Sequence, residues 1–337
     1  MTGTIKIAVV GATGAVGREM LAELEDCKIE NIELSLFASP RSAGEMLTFR
    51  NKSYEVKVFS LEALKGVTYC LMSAGGAFSK QHSQAIADQG TTVIDNSSAW
   101  RMNPNVPLVV PEVNADALKN WKNGIIANPN CSTIQMVVPL KALHQKFGIE
   151  SVHVSTYQSV SGTGQKGIKE LSGQVEGHFK YADLTPTVYA QPIAFNVLPA
   201  IDVLDKNGHC FEEEKMIRET RKIMSLPNLE VFATTARVPT FHCHSESVAV
   251  RLNQPVTRNQ AIEALESQSG LVISKEDSHA SFPTPRTVVG KSEIFVSRVR
   301  TPIDHEKSNW VQFWVVADNL RKGAATNAVQ IAELLAL

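Results

Sequence analysis

The segment Ile5-Lys-Ile-Ala-Val-Val10 runs directly into Gly11-Ala-Thr-Gly14-Ala-Val-Gly17, and no other feature narrows the fold of this chain as far. An apolar run, a glycine-rich turn and helix-forming residues read as strand, tight turn and helix N-terminus. Glycines at such a turn let backbone N–H groups approach a pyrophosphate, whose charge the helix dipole favours. The spacing G-x-x-G-x-x-G is a variant of the commoner G-x-G-x-x-G, so a glycine-rich turn without a ligand stays open as the alternative. Further apolar runs at residues 32–37, 67–72, 92–94, 108–110 and 125–127 alternate with helical spacing at 18–24 and 78–87. Buried runs alternating with amphipathic helices predict a parallel sheet in a Rossmann-type α/β dinucleotide-binding domain.

The end of the second run indicates which dinucleotide. An NAD site places Asp or Glu there to accept from the ribose hydroxyls. This chain has Ser39-Pro40-Arg41-Ser42 instead. Hydroxyls and a guanidinium bind a 2′-phosphate that a carboxylate would repel, which favours NADP; a solvated loop arginine is the plainer reading of Arg41.

A length of 337 residues exceeds one ordinary core and predicts two domains. With 33 basic against 34 acidic residues and no basic run, nothing points to nucleic acid, although a small anionic metabolite needs only a few placed cations. No apolar stretch reaches the roughly 18 residues of a membrane span, and the first residues lead straight into a strand, so no targeting segment is expected. The five cysteines (27, 70, 131, 210 and 243) are scattered and form no C-x-x-C, which predicts free thiols in a reducing cytoplasm and no metal site.

From residue 150 the texture changes. Segments 151–158, 236–242 and 247–252 read as strands of an antiparallel or mixed sheet, and 167–176, 212–224 and 258–266 as helices on it. The expected division is an NADP-binding domain at 1–131 with the C-terminal helix 319–337, and an α+β catalytic and dimerisation domain at 132–318. The sheet of the second domain needs cover on its far face, which predicts a homodimer. Between the two, Asn130-Cys131-Ser-Thr follows a buried run broken at Pro129 and opens a helix that Pro139 should kink. A cysteine at a helix N-terminus is favoured as thiolate; Cys27, Cys70 and Cys210 read as small buried hydrophobes.

Asn130-Cys131-Ser-Thr and the glycine turn together resemble the aspartate-semialdehyde dehydrogenases. The likeness continues through Asp95-Asn-Ser-Ser-Ala-Trp-Arg101, Pro111-Glu-Val-Asn114, Gln158-Ser-Val-Ser-Gly162 and Ala194-Phe-Asn-Val-Leu-Pro199. It includes Glu212-Glu-Glu-Lys215, Arg237-Val-Pro-Thr-Phe-His-Cys-His244 and Ala317-Asp-Asn319-Leu-Arg-Lys-Gly-Ala-Ala325. One departure is Cys243, where the family commonly has Gly.

The resemblance implies NADPH-dependent reduction of L-4-aspartyl phosphate in lysine, threonine, methionine and diaminopimelate biosynthesis. It implies Cys131 as nucleophile, His244 as acid–base and Gln158 as orienter of the acyl group. It gives Arg237 the α-carboxylate, Glu212 the ammonium, Arg101 and Lys215 the phosphate, and Asn130 a further substrate contact. Cofactor contacts would come from Gly11, Thr13, Gly14, Ala15, Val16, Ser39, Arg41, Ser42, Ser161, Gly162 and Asn319. On spacing alone, Glu212 and Lys215 could equally be a surface i,i+3 ion pair. His242 and His244 share a strand face, but no third ligand is evident and a metal is not expected. Arg237 and His244, seven apart, would face opposite ways on a regular strand, so joint service requires a break, for which Pro239 is placed. The rivals are an N-acetylglutamyl-phosphate reductase, whose cysteine context Asn130-Cys131-Ser132 does not match, a glyceraldehyde-3-phosphate dehydrogenase, and a non-catalytic binding relative.

Overall fold

The computed structural model describes residues 3–119, 121–275 and 278–336; the expected domain ends at residues 1 and 337 lie outside them. The chain forms two compact units, Met1–Asn130 with Gly323–Leu337, and Cys131–Lys322.

The first unit is built on a seven-stranded sheet of order β3-β4-β2-β1-β5-β6-β7. Its strands are β1 (Ile5–Val10), β2 (Ile32–Ala38), β3 (Met46–Phe49), β4 (Lys52–Val58), β5 (Tyr69–Met72), β6 (Thr92–Asp95) and β7 (Ile125–Ala127). All pairs are parallel except β3–β4. β5 and β6 are buried at every residue, as strands covered on both faces must be. Helices α1 (Ala15–Glu25), α2 (Gly76–Asp88) and α3 (Pro111–Asn114) belong here, with the C-terminal helix Thr326–Ala336.

One expectation for this unit needs correction, and one element was not foreseen. Residues 108–110 form no strand: Leu108 makes a single bridge to Ala127. The Val110 N–H is taken by Asn114 Oδ1 at 2.9 Å, and Pro111 starts α3, so no ladder can extend. The hairpin β3–β4 was not legible, because its turn uses Arg50 (φ 45°) and Asn51 (φ 61°) in place of the Asn-Gly signal.

The second unit has a six-stranded sheet of order β11-β12-β13-β10-β8-β9. Its strands are β8 (Ile149–Gln158), β9 (Glu230–Arg237), β10 (His244–Val256), β11 (Leu271–Ile273), β12 (Ile294–Arg300) and β13 (Ser308–Ala317). Its helices are α4 (Cys131–Phe147), α5 (Gln165–Phe179), α6 (Phe211–Met224), α7 (Arg258–Glu266) and α8 (Pro285–Val288). α4 packs on β8, β10 and β13, with α6 and α7 beside it. That cover explains why α4 is buried continuously from Ser132 to Leu140, Pro139 included. β8 alternates buried and exposed positions, and on the face opposite α4 His153 stacks on Phe232 (4.5 Å) and Tyr157 meets Trp314 (5.4 Å).

The expected strand at 236–242 is also corrected: β9 stops at Arg237 and β10 starts at His244. In between, the loop pairs with another loop, Val160 N–H donating to Thr240 O (2.9 Å) and Ser161 N–H to Phe241 O (3.1 Å). Asn319, expected to begin the return to the first domain, lies in the second unit; the crossing falls in the π-helical turn Arg321–Ala325.

Candidate active site

In the first unit the turn after β1 is shaped by its glycines. Gly11 has φ +90°, and a Cβ there would collide with the Ser73 carbonyl; one at Gly17 would collide with the Gly11 carbonyl. Gly14 is the N-cap of α1 and gives it no side-chain cap, and among the described residues no side-chain oxygen is bonded to the N–H groups of Ala15 and Val16. Thr13 lies half-buried in the turn. Past β2, Ser39 caps a short 3₁₀ turn, Pro40–Ser42, with Arg41 exposed and no carboxylate in it. Arg101 is buried, its Nε donating to Asn128 O and its Nη2 to Asn96 O, each at 2.9 Å. Asn130, also buried, closes this unit.

In the second unit Cys131 is the first residue of α4 and half-buried. Gln158 ends β8, Arg237 ends β9 and His244 starts β10, so neighbouring strand ends deliver three of the expected residues. The fourth element is α6, whose first turn holds Glu212. Gln158 Nε2 donates to Glu212 Oε1 (3.0 Å), and Lys215 Nζ pairs with Glu212 Oε2 (2.7 Å) and Asp202 Oδ2 (3.7 Å). Glu212 is only 4% exposed, which removes the surface-pair reading. A cavity of about 580 Å³ is lined by Gly162, Tyr189, Asp202, Glu212, Lys215 and Arg237 among others. Two cations and two carboxylates around one cavity suit a small ligand carrying both signs of charge.

Ser159, to which sequence reasoning gave no role, organises the centre. Its carbonyl accepts from Arg237 Nη1 (2.7 Å), and its N–H donates to His244 Nδ1 (3.1 Å). A backbone N–H can only donate, so Nδ1 carries the lone pair and the neutral ring bears its proton on Nε2. Nε2 is buried without a partner among the described residues. Burial, with Arg237 adding to it and Glu212 opposing, brings the His244 pKa down to about 3, so the ring is neutral at pH 7. Asn319 holds the surrounding loops: its Oδ1 accepts from Ser159 Oγ (3.2 Å), Ser161 Oγ (3.0 Å) and Cys243 N–H (3.0 Å). Gly162 lies against both functional groups, since a Cβ there would stand 2.9 Å from Arg237 Nη1 and 3.3 Å from His244 Nε2. The only signal for Ser159 was its place after Gln158. Cys243 has φ +67°, a left-handed conformation that explains a preference for Gly at this position.

Among the described residues no group of three or more metal-ligating side chains is present, and no helix is long and apolar enough to cross a membrane. Residues 6–121 match the family model described as semialdehyde dehydrogenase, NAD binding domain, and residues 140–322 match the one described as semialdehyde dehydrogenase, dimerisation domain. The aspartate-semialdehyde dehydrogenase of Aquifex aeolicus (strain VF5) is 48% identical over 333 residues, covering 98% of this chain and 97% of that protein. That of Bacillus subtilis (strain 168) is 44% identical over 339 residues, covering 98% and 97%. The crystal structure of aspartate semialdehyde dehydrogenase II from Vibrio cholerae, complexed with ASA, superposes with a TM-score of 0.93 at 43% identity over 99% of both chains. With both units matched and relatives aligned over nearly its whole length, the chain belongs to the aspartate-semialdehyde dehydrogenase family.

Proposed function

We propose that this chain reduces L-4-aspartyl phosphate to L-aspartate 4-semialdehyde and phosphate with NADPH, as a cytoplasmic homodimer in the biosynthesis of lysine, threonine, methionine and diaminopimelate. The observation that carries the reading is the convergence of Gln158, Glu212, Lys215 and Arg237 on one buried charge cluster, with neutral His244 held beside Arg237. The dimer reading rests on the exposed aromatic residues Tyr157 and Phe232 on the second sheet and on the match of residues 140–322 to a dimerisation domain.

The first unit fits NADP. The glycines keep the turn after β1 tight, the N-terminus of α1 begins at Gly14 with no side-chain cap from that residue and suits a pyrophosphate, and the segment after β2 offers hydroxyls and Arg41 to a 2′-phosphate. Gly11, Thr13, Gly14, Ala15, Val16, Ser39, Arg41 and Ser42 would hold the dinucleotide there; the resemblance also assigns Ser161, Gly162 and Asn319 to the cofactor. When bound, NADPH supplies the hydride that reduces the acyl carbon.

The remaining work falls to side chains. Arg237 binds the α-carboxylate as a fork already braced by Ser159 O, and Glu212 pairs with the ammonium. Arg101 and Lys215 bind the phosphoryl group, and Asn130 adds a substrate contact. The Cys131 thiolate attacks the β-acyl carbon; the bond from carbon to phosphate oxygen breaks, and phosphate leaves a thioester. After reduction, the tetrahedral adduct carries charge on its oxygen, and Nε2–H of His244 donates a hydrogen bond to it. Collapse of the adduct expels the thiolate and frees the aldehyde. Gln158, tied to Glu212, orients the acyl oxygen.

The test is NADP reduction by purified protein with aspartate semialdehyde. Reduction that requires phosphate supports the reading. Phosphate-independent turnover, or a preference for an N-acetylated glutamyl aldehyde, overturns it.

A further inference from the structure

Arg101 is held by two main-chain carbonyls, those of Asn96 and Asn128. These residues lie just past the ends of neighbouring parallel strands, β6 and β7. Their side chains bond to each other, Asn128 Nδ2 donating to Asn96 Oδ1 at 2.6 Å. Asn128 Oδ1 accepts from Asn327 Nδ2 at 2.7 Å, and Asn327 stands in the first turn of the C-terminal helix. Carbonyls at two points set the polarity of this chain. Val109 O accepts from Asn327 Nδ2 (2.9 Å) and Ala324 O from Asn128 Nδ2 (3.1 Å), so neither amide can be flipped without two donors or two acceptors meeting. Asn128 and Asn327 are fully buried. A buried amide whose N–H groups are committed to carbonyl oxygens of defined position is stiff, because rotation leaves those groups unsatisfied away from water.

We propose that Asn327, Asn128 and Asn96 are positioning residues through which the C-terminal helix holds the guanidinium of Arg101 at the angle that phosphate recognition needs. The inference rests on the reading of Arg101 as a phosphate ligand. A forked guanidinium recognises a phosphate by direction, so loosening its two anchors weakens phosphate while leaving the carboxylate and dinucleotide contacts in place. Asn327 itself then touches no substrate and acts only through Arg101.

The experiment is steady-state kinetics in the phosphorylating direction, with inorganic phosphate, aspartate semialdehyde and NADP varied separately. Asn327→Leu keeps the volume and removes the donor. Asn96→Ala, at a half-buried position, removes only the far acceptor and carries the same test should Asn327→Leu fail to fold. Each should raise KM for phosphate about tenfold, the worth of one charge-assisted contact, with the other two KM values within about twofold. Asn327→Ser, which keeps one donor, should recover part of the loss. In an Arg101→Ala background neither change should weaken phosphate further. If all three KM values rise together, or the losses add to that of Arg101→Ala, the asparagines are ordinary packing and the inference falls. If Arg101→Ala weakens phosphate but both asparagine variants do not, the inference falls alone. If Arg101→Ala leaves KM for phosphate unchanged, the assignment of Arg101 falls first and the inference with it.

Discussion

A single methyl group at Gly162 tests the geometry of the centre. Gly162 lies in the 3₁₀ turn Val160–Thr163 and its φ is outside the left-handed region, so alanine meets no backbone strain there. It meets side chains instead: the new Cβ would stand 2.9 Å from Arg237 Nη1 and 3.3 Å from His244 Cε1 and Nε2. The first distance is roughly 0.6 Å inside ordinary contact, so the guanidinium must withdraw by about that much. Its bond to Ser159 O, now 2.7 Å, would stretch to the edge of hydrogen-bonding range or break. Losing one charge-assisted contact costs about 1.5–3 kcal/mol, which predicts a fall of about 10–150-fold in kcat/KM for aspartate semialdehyde. The assay is initial-rate NADP reduction at saturating phosphate, with a melting curve to show that Tm moves by only a few degrees. A variant within about twofold of wild type would refute the placement of Arg237 and His244. A rise confined to KM for NADP would make Gly162 a cofactor contact and nothing more.

His244→Gln should lower kcat by about 10²–10⁴-fold with little change in KM, read from saturating kinetics. It should also flatten the acid limb of stability. With the folded pKa near 3, below that of an unfolded histidine, the unfolded state takes up the extra proton, so wild type loses stability as pH falls from about 6.5 toward 3 and the glutamine variant loses less. Denaturant midpoints at pH 7 and pH 5 decide this. Iodoacetate near neutral pH should label Cys131 first and substrate should protect it, because burial raises the thiols of Cys27, Cys70 (to about 12) and Cys243. Peptide mapping that finds another cysteine labelled first, with activity retained, defeats the assignment. Arg41→Ala should raise KM for NADP by roughly 10–150-fold and leave the weaker NAD reaction nearly unchanged. Equal loss with both cofactors would make Arg41 an ordinary loop residue.

Local sequence was enough to place many of the parts. The run Ile5–Val10 and the glycines after it state a strand, a turn and a helix start, because φ above zero and close backbone approach leave glycine as the residue of choice. The position of Cys131 at a helix start was likewise legible from Pro129 and the polar residues around it. So was the need for a break between Arg237 and His244, since strand parity is a property of the chain alone. The hairpin at Arg50-Asn51 was not, because non-glycine residues held at positive φ carry no composition signal and persist only where the surroundings hold them. The same applies to Cys243, whose strained backbone is anchored by an N–H bond to Asn319 Oδ1, seventy-six positions along the chain.

What the sequence by itself determined was therefore chemical type and local geometry: a glycine-rich strand–turn–helix, a cysteine at a helix start, and charged residues at matching spacing. Tertiary structure decided which of those charges are buried and which proton each group carries. Whether Glu212 and Lys215 are a surface pair or part of a site depends on the cavity beside them, and that cavity is lined by residues as distant in sequence as Gly162, Tyr189 and Arg237. Which nitrogen of His244 bears hydrogen depends on an N–H eighty-five residues away, at Ser159. Periodicity and propensity act over a few residues, whereas desolvation and hydrogen-bond direction are set by whatever the fold brings within a few ångströms.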